Sequence, residues 1–350
     1  GNTPLSDVVV TIGNVKTTTN KDGVYFFGLV TKEGTITLEK EGYTFTPVGH
    51  SGRVNDKYDE KLDINYSATY KVDGVIKSGT FGIAGVSVTI GTATTITDIN
   101  GKFSIDGLTD SNDIALSLNN YKFSGVSVIS GYSKLEYIAT FDVVATVVSG
   151  DILISNAEVL VNNKFTNLYS NELGIANIQN LSLGDTVTFK LDGFSINSYV
   201  LNEYTESINL TATYRVAGRV SNCGIPLNGV KVSILNLDKF VMTNENGSFE
   251  ITDIAGNQTL VFELAGYNFD NLNISGADNL NVMSKFDVEG TIKIGGKIAL
   301  GGVTVTAGSH TATTDKYGKF KIIGLTTSTL FVFEKEGYDF GESIEVSSPS

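Results

Sequence analysis

Side chains that could do covalent or metal chemistry are scarce in this chain of 350 residues. It has one cysteine, Cys223, and two histidines, His50 and His310, which lie far apart in the sequence. A cysteine nucleophile needs a nearby base, so we interpret Cys223 as a small, partly buried apolar residue, which can form no intrachain disulfide. We therefore predict no catalytic residue, no cofactor and no enzymatic activity.

One recurring arrangement of side-chain oxygens could ligate calcium. An Asn or Asp is followed three positions later by Gly in five tetrapeptides, which are Asn20-Lys-Asp-Gly23, Asp98-Ile-Asn-Gly101, Asn171-Glu-Leu-Gly174, Asn244-Glu-Asn-Gly247 and Asp315-Lys-Tyr-Gly318. Calcium sites favour several carboxylates, whereas three of these five copies begin with Asn. We favour a type I turn in which the Asx side chain accepts hydrogen bonds from backbone amides and the glycine takes a positive φ. The sequence therefore predicts no metal site.

Composition excludes further classes of partner. Hydrophobic residues make up 41% of the chain, which is enough for packed cores, and charged residues only 18%. The formal net charge of −13 argues against a nucleic-acid partner, because phosphate backbones need clustered Lys and Arg. No run of 18 apolar residues is present, so this segment is not expected to insert in a membrane. The acidic composition and the near absence of cysteine fit an extracellular, cell-surface or secreted protein, of which we expect this chain to be a portion.

The turns belong to a tandem repeat. Their glycines are 78, 73, 73 and 71 residues apart, and a second mark follows each turn with the same spacings. That mark comprises Gly42-Tyr43, Asn120-Tyr121, Gly193-Phe194, Gly266-Tyr267 and Gly337-Tyr338. Two independent marks with one period indicate five units, and we interpret the aromatic rings as plugs of the unit cores. The predicted domains are residues 1–69, 70–140, 141–213, 214–285 and 286–350.

Within a unit, apolar residues alternate with polar ones, which is typical of half-buried strands. Opening strands recur as Tyr70-x-Val72-x-Gly74-x-Ile76, Phe141-x-Val143-x-Ala145-x-Val147, Tyr214-x-Val216-x-Gly218-x-Val220 and Phe286-x-Val288-x-Gly290-x-Ile292. Six or seven short strands in about 72 residues predict an all-β fold, a tandem array of small antiparallel Ig-like or prealbumin-like sandwiches. The first unit is expected to lack its opening strand and the last its closing strand.

The units follow one another without a linker. No Gly/Ser-rich or Pro-rich stretch occurs at residues 66–72, 137–143, 210–216 or 282–288, and the alternation continues through the first of these segments. The closing strand of one unit is therefore expected to run into the opening strand of the next. We predict a semi-rigid, monomeric array.

Several strings resemble a known family. Pro226-Leu-Asn-Gly-Val-Lys-Val-Ser-Ile234, Thr243-Asn-Glu-Asn-Gly-Ser-Phe-Glu-Ile251 and Gly266-Tyr267 are similar to the carboxypeptidase regulatory-like module, which is also described as transthyretin-like or prealbumin-like and is close to Cna B-type repeats. The resemblance implies seven-stranded sandwiches that serve as spacer, stalk or adhesin segment without catalysis. Some Cna B-type modules carry a Lys–Asn isopeptide bond. Here the lysines of the opening strands, Lys71 and Lys293, have outward parity, so we expect none.

The leading interpretation is a non-enzymatic stalk, spacer or adhesin shaft of a bacterial cell-surface or secreted protein. The alternative is a module that binds carbohydrate or host protein through loops at the sandwich ends. Candidate loop residues are His50, Arg53 and Tyr58 within segment 47–60, and Tyr199 and Tyr204 in the third unit. Another cluster, formed by Asp59, Glu60 and Asp63, is interpreted as a solvated strand face. The ligand-binding residues themselves stay unknown.

An elongated particle is the first testable prediction. Strands of about nine residues make each sandwich roughly 30 Å long, so five end to end would reach on the order of 150 Å. Small-angle X-ray scattering of the whole chain should give a maximum dimension near that length. A compact particle would contradict the prediction.

Overall fold

The structure is a computed structural model that describes residues 3–28, 34–49, 53–54 and 64–349. Every regular element in these residues is a β-strand, so the predicted all-β class is confirmed. None of the described segments forms a helix of the length and apolarity needed to cross a membrane. The five-repeat division and its boundaries stay a prediction, and we use them below to number the repeats.

Three long strands span predicted boundaries, and shorter strands lie between them. In repeat one the strands are β1 (Val9–Ile12), β2 (Val15–Thr18), β3 (Gly34–Glu39), β4 (Tyr43–Val48) and β5 (Arg53–Val54), followed by the long strand β6 (Asn65–Ser78). Repeat two continues with β7 (Phe81–Gly82), β8 (Ser87–Ile90), β9 (Ala93–Ile96), β10 (Lys102–Leu108), β11 (Asn112–Ser117), β12 (Lys122–Ser124) and β13 (Val128–Ile129), followed by the long strand β14 (Ser133–Ser149).

The later repeats use the same order. Repeat three contains β15 (Ile152–Leu153), β16 (Glu158–Val161), β17 (Lys164–Tyr169), β18 (Ile175–Leu181), β19 (Thr186–Lys190), β20 (Phe194–Ile196) and β21 (Tyr199–Val200), followed by the long strand β22 (Ser207–Asn222). Repeat four contains β23 (Ile225–Pro226), β24 (Lys231–Ile234), β25 (Phe240–Met242), β26 (Ser248–Ile254), β27 (Gln258–Glu263), β28 (Tyr267–Asn268), β29 (Leu272–Ile274) and β30 (Asp278–Met283). Repeat five contains β31 (Lys285–Thr291), β32 (Lys293–Ile294), β33 (Ile298–Ala299), β34 (Thr304–Ala307), β35 (His310–Thr313), β36 (Lys319–Leu325), β37 (Thr329–Glu334) and β38 (Ile344–Val346).

Repeat two shows how the strands form a sandwich. One sheet has the order β13-β11-β8-β9, and the facing sheet places the second half of β6 between β10 and the first half of β14. Repeat four has the same two sheets, with the order β25-β24-β27-β29 in one and β22 between β26 and β30 in the other. Inward residues of both sheets form the cores, including Val72, Ile76 and Val88 in repeat two.

Contacts group the chain into two compact units, and repeat three contributes to both. The first unit comprises Gly1–Val144, Asn177–Thr186 and Val200–Ser207, and the second comprises Ala145–Ala176, Val187–Tyr199 and Ile208–Ser350. In the first unit the cores of repeats one and two are separate clusters. In the second unit the cores of repeats four and five are likewise separate clusters.

All five Asx-x-x-Gly tetrapeptides form the predicted turn. In repeat four, the Oδ1 atom of Asn244 accepts hydrogen bonds from the amides of Asn246 (3.0 Å) and Ser248 (2.9 Å), and Gly247 N donates to Asn244 O (2.8 Å). The other four copies repeat this pattern. The turn glycines have φ between 70° and 73°. The Oδ1 atom of each Asx residue thus accepts two backbone amides and holds the turn, which is the role that the sequence predicts for it.

A buried hydroxyl group precedes each turn, and the sequence interpretation missed it. The residues are Thr19, Thr97, Ser170, Thr243 and Thr314. In repeat four, Thr243 Oγ1 accepts from Val230 N (2.9 Å) and donates to Leu227 O (2.6 Å). The corresponding pair of bonds is present in every repeat. Each hydroxyl therefore ties the turn to the start of the strand that pairs with it.

Repeat one departs from the others after its turn. Residues 24–28 keep the alternation of Tyr25 and Phe27 but form no strand, and Phe26 is 81% exposed. The corresponding strands β10, β26 and β36 each pair with an opening strand. Residues 24–28 form no ladder with any strand in the described part of the chain.

Opening-strand glycines make room for large rings. A Cβ built on Gly218 would lie 2.8 Å from a ring carbon of Phe249 and 2.6 Å from Leu280 O. A Cβ built on Gly74 would likewise overlap the ring of Phe103, and one built on Gly290 would overlap the ring of Phe320. Repeat three has Ala145 where repeats two, four and five have Gly, and Ala176 where those three repeats have Phe. Ring and glycine therefore vary together, as a close-packed interior requires.

Replacing that glycine should destabilise repeat four by overpacking. We expect Gly218→Ala to cost about 1–3 kcal/mol of unfolding free energy. Phe249→Ala alone should cost about 3–5 kcal/mol by leaving a cavity. The double variant reproduces the Ala–Ala pair of repeat three and should be less destabilised than the sum of the single variants. Hydrogen exchange of repeat-four amides, read by mass spectrometry, measures all three, and strict additivity would refute the steric coupling.

The buried hydroxyl gives a second prediction. Thr243→Val keeps the shape of the side chain but leaves Val230 N and Leu227 O without their partner, which should cost about 1–3 kcal/mol. Thr243→Ser retains the hydroxyl, as Ser170 does in repeat three, and serves as the matched control. Exchange of the Val230 amide should accelerate in the valine variant and much less in the serine variant. Equal exchange in both would show that the hydroxyl contributes nothing.

Candidate functional sites at the repeat junctions

The residues with possible chemistry do not form a common site in the described part of the chain. His50, Tyr58, Asp59, Glu60 and Asp63 lie outside the described residues, as does the side chain of Arg53. His310 is exposed on β35, and Tyr199 is 39% exposed on β21. Within the described ranges, no group of three His, Cys, Asp or Glu side chains could hold a metal ion.

Cys223 has a backbone role that its residue type does not suggest. It is the first loop residue of the β22–β23 hairpin and has φ of 49°, while the corresponding residues of the β6–β7 and β14–β15 hairpins are Gly79 and Gly150, both with φ of 57°. Its side chain is partly buried, as predicted, and burial raises the pKa of the thiol. A protonated thiol at a left-handed turn position fits a structural role.

The recurring feature of this molecule is the junction between repeats, and its axis is one uninterrupted strand. The first part of β6 pairs with β4 of repeat one, and its second part pairs with β10 of repeat two. Strands β14 and β22 likewise run through the next two predicted boundaries, and only Ser284 separates β30 from β31. The prediction that closing strands run into opening strands is confirmed, and no loop separates these repeats at their junctions.

The aromatic rings of the second mark lie at these junctions. Tyr43 is the register partner of Tyr70, Phe194 of Tyr214 and Tyr267 of Phe286, so each ring lies opposite the first ring of the next opening strand. Ring centroids are 6.3 Å apart for Tyr43–Tyr70, 5.7 Å for Phe194–Tyr214 and 5.6 Å for Tyr121–Phe141.

The prediction that these rings are core plugs is therefore wrong in part. Four of the five are half-buried, and Tyr338 is 44% exposed. Tyr43 and Phe194 pack against the core of the following repeat, and Tyr267 packs against the cores of both its own and the next repeat. Periodicity identified the buried face of these strands but could not tell which core the face meets.

The glycine of the same mark lies under a residue from the following repeat. A Cβ built on Gly42 would lie 2.1 Å from the Tyr132 ring, and one on Gly193 would lie 2.3 Å from Ala277 Cβ. In repeat two the mark has Asn120 in place of the glycine, and the equivalent residue from the following repeat is Tyr204, whose ring lies 5.8 Å from Tyr121. Tyr204, a candidate loop residue for binding, is thus half-buried at a junction. These covering residues recur about 72 positions apart, a signal that the sequence carries but that alternation alone does not reveal.

The tip of the hairpin after each opening strand makes the second junction contact. Ser78 Oγ accepts a hydrogen bond from Leu183 N (2.9 Å), and Ser149 Oγ accepts one from Gly256 N (3.4 Å). Leu183 and Gly256 occupy the same loop in successive repeats. Both serines are buried, so these bonds form away from water.

Between repeats three and four the hairpin contact is more extensive. Asp151 accepts hydrogen bonds from Asn257 through its backbone amide (3.0 Å) and its side-chain amide (2.9 Å), and these bonds lower the pKa of the Asp151 carboxyl. Tyr214 donates to Gly256 O (2.7 Å) from the other side of the loop. Burial, aided by the charge of Asp151, raises the pKa of Tyr214 to about 12, so its hydroxyl stays a donor at neutral pH.

Between repeats four and five an amide takes the place of the serine. Asn222 Nδ2 donates to Ser347 O (2.6 Å), and Asn222 Oδ1 accepts from Ser284 Oγ (3.0 Å). Both Asn222 and Ser284 are buried. The sequence interpretation missed these polar residues at inward parity, although a buried Ser or Asn at the end of an apolar alternation is a recognisable signal for a polar contact.

Comparison with known proteins identifies one segment. Residues 216–293 match the family model described as CarboxypepD_reg-like domain. The match makes this segment similar to the CarboxypepD_reg-like domain family. It includes the repeat-four sandwich and ends in β32, and the resemblance inferred from the sequence is confirmed there. No curated protein matches the chain.

Several solved structures are similar at low scores. The Bacillus anthracis TIE protein aligns with 91% of this chain and 68% of its own, at 14% identity and a TM-score of 0.24. BcpA, the major pilin subunit of Bacillus cereus, aligns with 62% of this chain and 99% of its own, at 11% identity and a TM-score of 0.21. Two B repeat units of the Staphylococcus aureus collagen-binding protein align with 78% and 94% respectively, at 13% identity and a TM-score of 0.17.

Proposed function

We propose that this chain is a non-enzymatic spacer that holds other parts of a bacterial cell-surface or secreted protein at a fixed separation. The observation that supports this most is the junction strand. In β6, β14 and β22 the polypeptide passes from one repeat to the next inside a hydrogen-bonded ladder. A spacer needs neighbouring domains that do not swing freely, and a linker that is itself a strand restricts that motion.

The side-chain contacts at the junctions support the same proposal. Ring pairs and covered glycines form one set of contacts at the junctions, and the hairpin bonds of Ser78, Ser149 and Asn222 form a second set at the junctions that follow repeats two, three and four. A bend at the junction would have to separate one of these sets.

The extracellular location and the partners also belong to the proposal. One cysteine, a net charge of −13 and a low fraction of charged residues suit a secreted array with no structural disulfide. A host protein or glycan is the partner class that the alternative function, binding through loops, would require. Among the candidate loop residues, Tyr199 has a side chain that the structure describes as exposed, whereas the Tyr204 ring packs against Tyr121 at a junction.

Junction rigidity can be tested by loosening one strand. Spin labels on Lys164→Cys in repeat three and Glu245→Cys in repeat four, with Cys223→Gly in the background, report the distance between two neighbouring repeats. Pulsed electron–electron double resonance should give a narrow distribution of the distance between the two spin labels. Insertion of Gly-Ser-Gly-Ser between Thr213 and Tyr214 should broaden it, because the ladder there is replaced by a flexible segment.

The matched control places the same four residues after Asn236, in the loop between β24 and β25. This insertion leaves β22 unbroken and should keep the distribution narrow. A distribution in the parent as broad as that of the junction variant would overturn the spacer proposal.

A further inference from the structure

The first and last strands of a repeat are neighbours in one sheet and run in the same direction. In repeat four, residues 216–221 of β22 pair in parallel with residues 278–283 of β30, over six consecutive register positions. In repeat two, residues 72–77 of β6 pair in parallel with residues 133–138 of β14, again over six positions. The other ladders described for repeats two and four are antiparallel.

The chain enters and leaves repeats two and four through these two strands. It enters repeat four at Tyr214, at the start of the opening strand, and leaves it after Met283, at the end of β30. Tension along the chain therefore pulls the opening strand backward and the closing strand forward. Because the strands are parallel, the two forces act along the ladder in opposite directions, and all its hydrogen bonds are loaded together.

The closing strand has few other attachments. Among the described pairings, β30 forms a ladder with β22 alone, so it is the edge strand of its sheet. Its inward side chains, Leu280 and the buried Val282, pack against the repeat-four core. Gly218 lies beneath Leu280 O, where a Cβ would come within 2.6 Å, so the two strands approach closely. The β22–β30 ladder therefore joins the two strands through which the chain enters and leaves repeat four.

We infer that these parallel strand pairs act as shear clamps, which give the array a second function, the resistance of tension applied along the chain. This inference rests on the proposed spacer function and adds the direction of load to it. A ladder loaded in shear must lose many hydrogen bonds at once, whereas a ladder pulled from one end loses them one after another. The same repeat should therefore be strong when pulled along the chain and weak when its two strands are pulled apart from one end.

Single-molecule force spectroscopy of the full chain separates the two directions. The background is Cys223→Gly, which places at that turn the residue of the equivalent hairpins, Gly79 and Gly150. For shear, handles are attached at Arg215→Cys and Met283→Cys, at opposite ends of the clamp. For peeling, they are attached at Arg215→Cys and Asp278→Cys, because Asp278 is the register partner of Val216 at the same end as Arg215. The replaced side chains are exposed.

The two variants share one handle, one background and the same repeat, so they differ only in the direction of load. We expect the unfolding force to be severalfold lower in the peeling geometry. Urea denaturation of both variants should match the Cys223→Gly parent, which shows that the ladder is intact before force is applied. Equal unfolding forces in the two geometries, or a lower force in shear, would overturn the inference.

Repeat two provides an independent measurement if a repeat-four variant does not fold. Lys71→Cys with Ile138→Cys gives shear, and Lys71→Cys with Ser133→Cys gives peeling, since Ser133 and Ile138 are the register partners of Val72 and Lys77. The same order of forces is expected, and equal forces here would also overturn the inference. If the unfolding forces are equal in the two geometries but the spin-label distances stay narrowly distributed, the clamp inference fails and the spacer proposal stands. The two failures can therefore be told apart.

Discussion

The constraint on which this structure depends is that successive repeats share a β-strand. Because β6, β14 and β22 each belong to two repeats, the backbone hydrogen bonds that hold one sheet also fix the start of the next. The rings of the second mark then lie opposite the first ring of the next opening strand, as register dictates. The hairpin that follows an opening strand likewise contacts a loop of the next repeat, the loop that contains Leu183 in repeat three and Gly256 in repeat four.

Small sandwiches gain from this arrangement. A core built from about 72 residues buries only a modest share of its surface and is marginally stabilising by itself. In a linear array the interface with each neighbour adds to the stability of the repeat. The half-buried Tyr43, Phe194 and Tyr267 are shared between neighbouring repeats in this way. Each repeat keeps its own geometry through the Asx turn and the buried hydroxyl that precedes it.

Much of the fold could be predicted from the sequence because its signals are local and repeated fivefold. The Asx-x-x-Gly turns, the alternating strands and the absence of linkers depend on residues close together in the chain, and repetition separated them from chance. The contacts of Ser78, Tyr132 and Asn222 could not be predicted, since each depends on how one repeat meets the next. Alternation assigns the face of Tyr43 but not its neighbour. For the site residues in segment 47–60, the structure describes no side chain from His50 onward that could test the expectation.

The pairing of Gly218 with Phe249, set beside Ala145 and Ala176 in repeat three, has a consequence for how such arrays can change over generations. Tandem copies invite unequal recombination, which can join the front of one copy to the back of another. An exchange point between the opening strand and the strand after the turn would bring Ala and Phe together in one core and overfill it. Exchange points within the shared strand, before the glycine, would keep each matched pair intact. The sites at which copies can be gained or lost are therefore set by steric compatibility within a core and not by the outline of a domain.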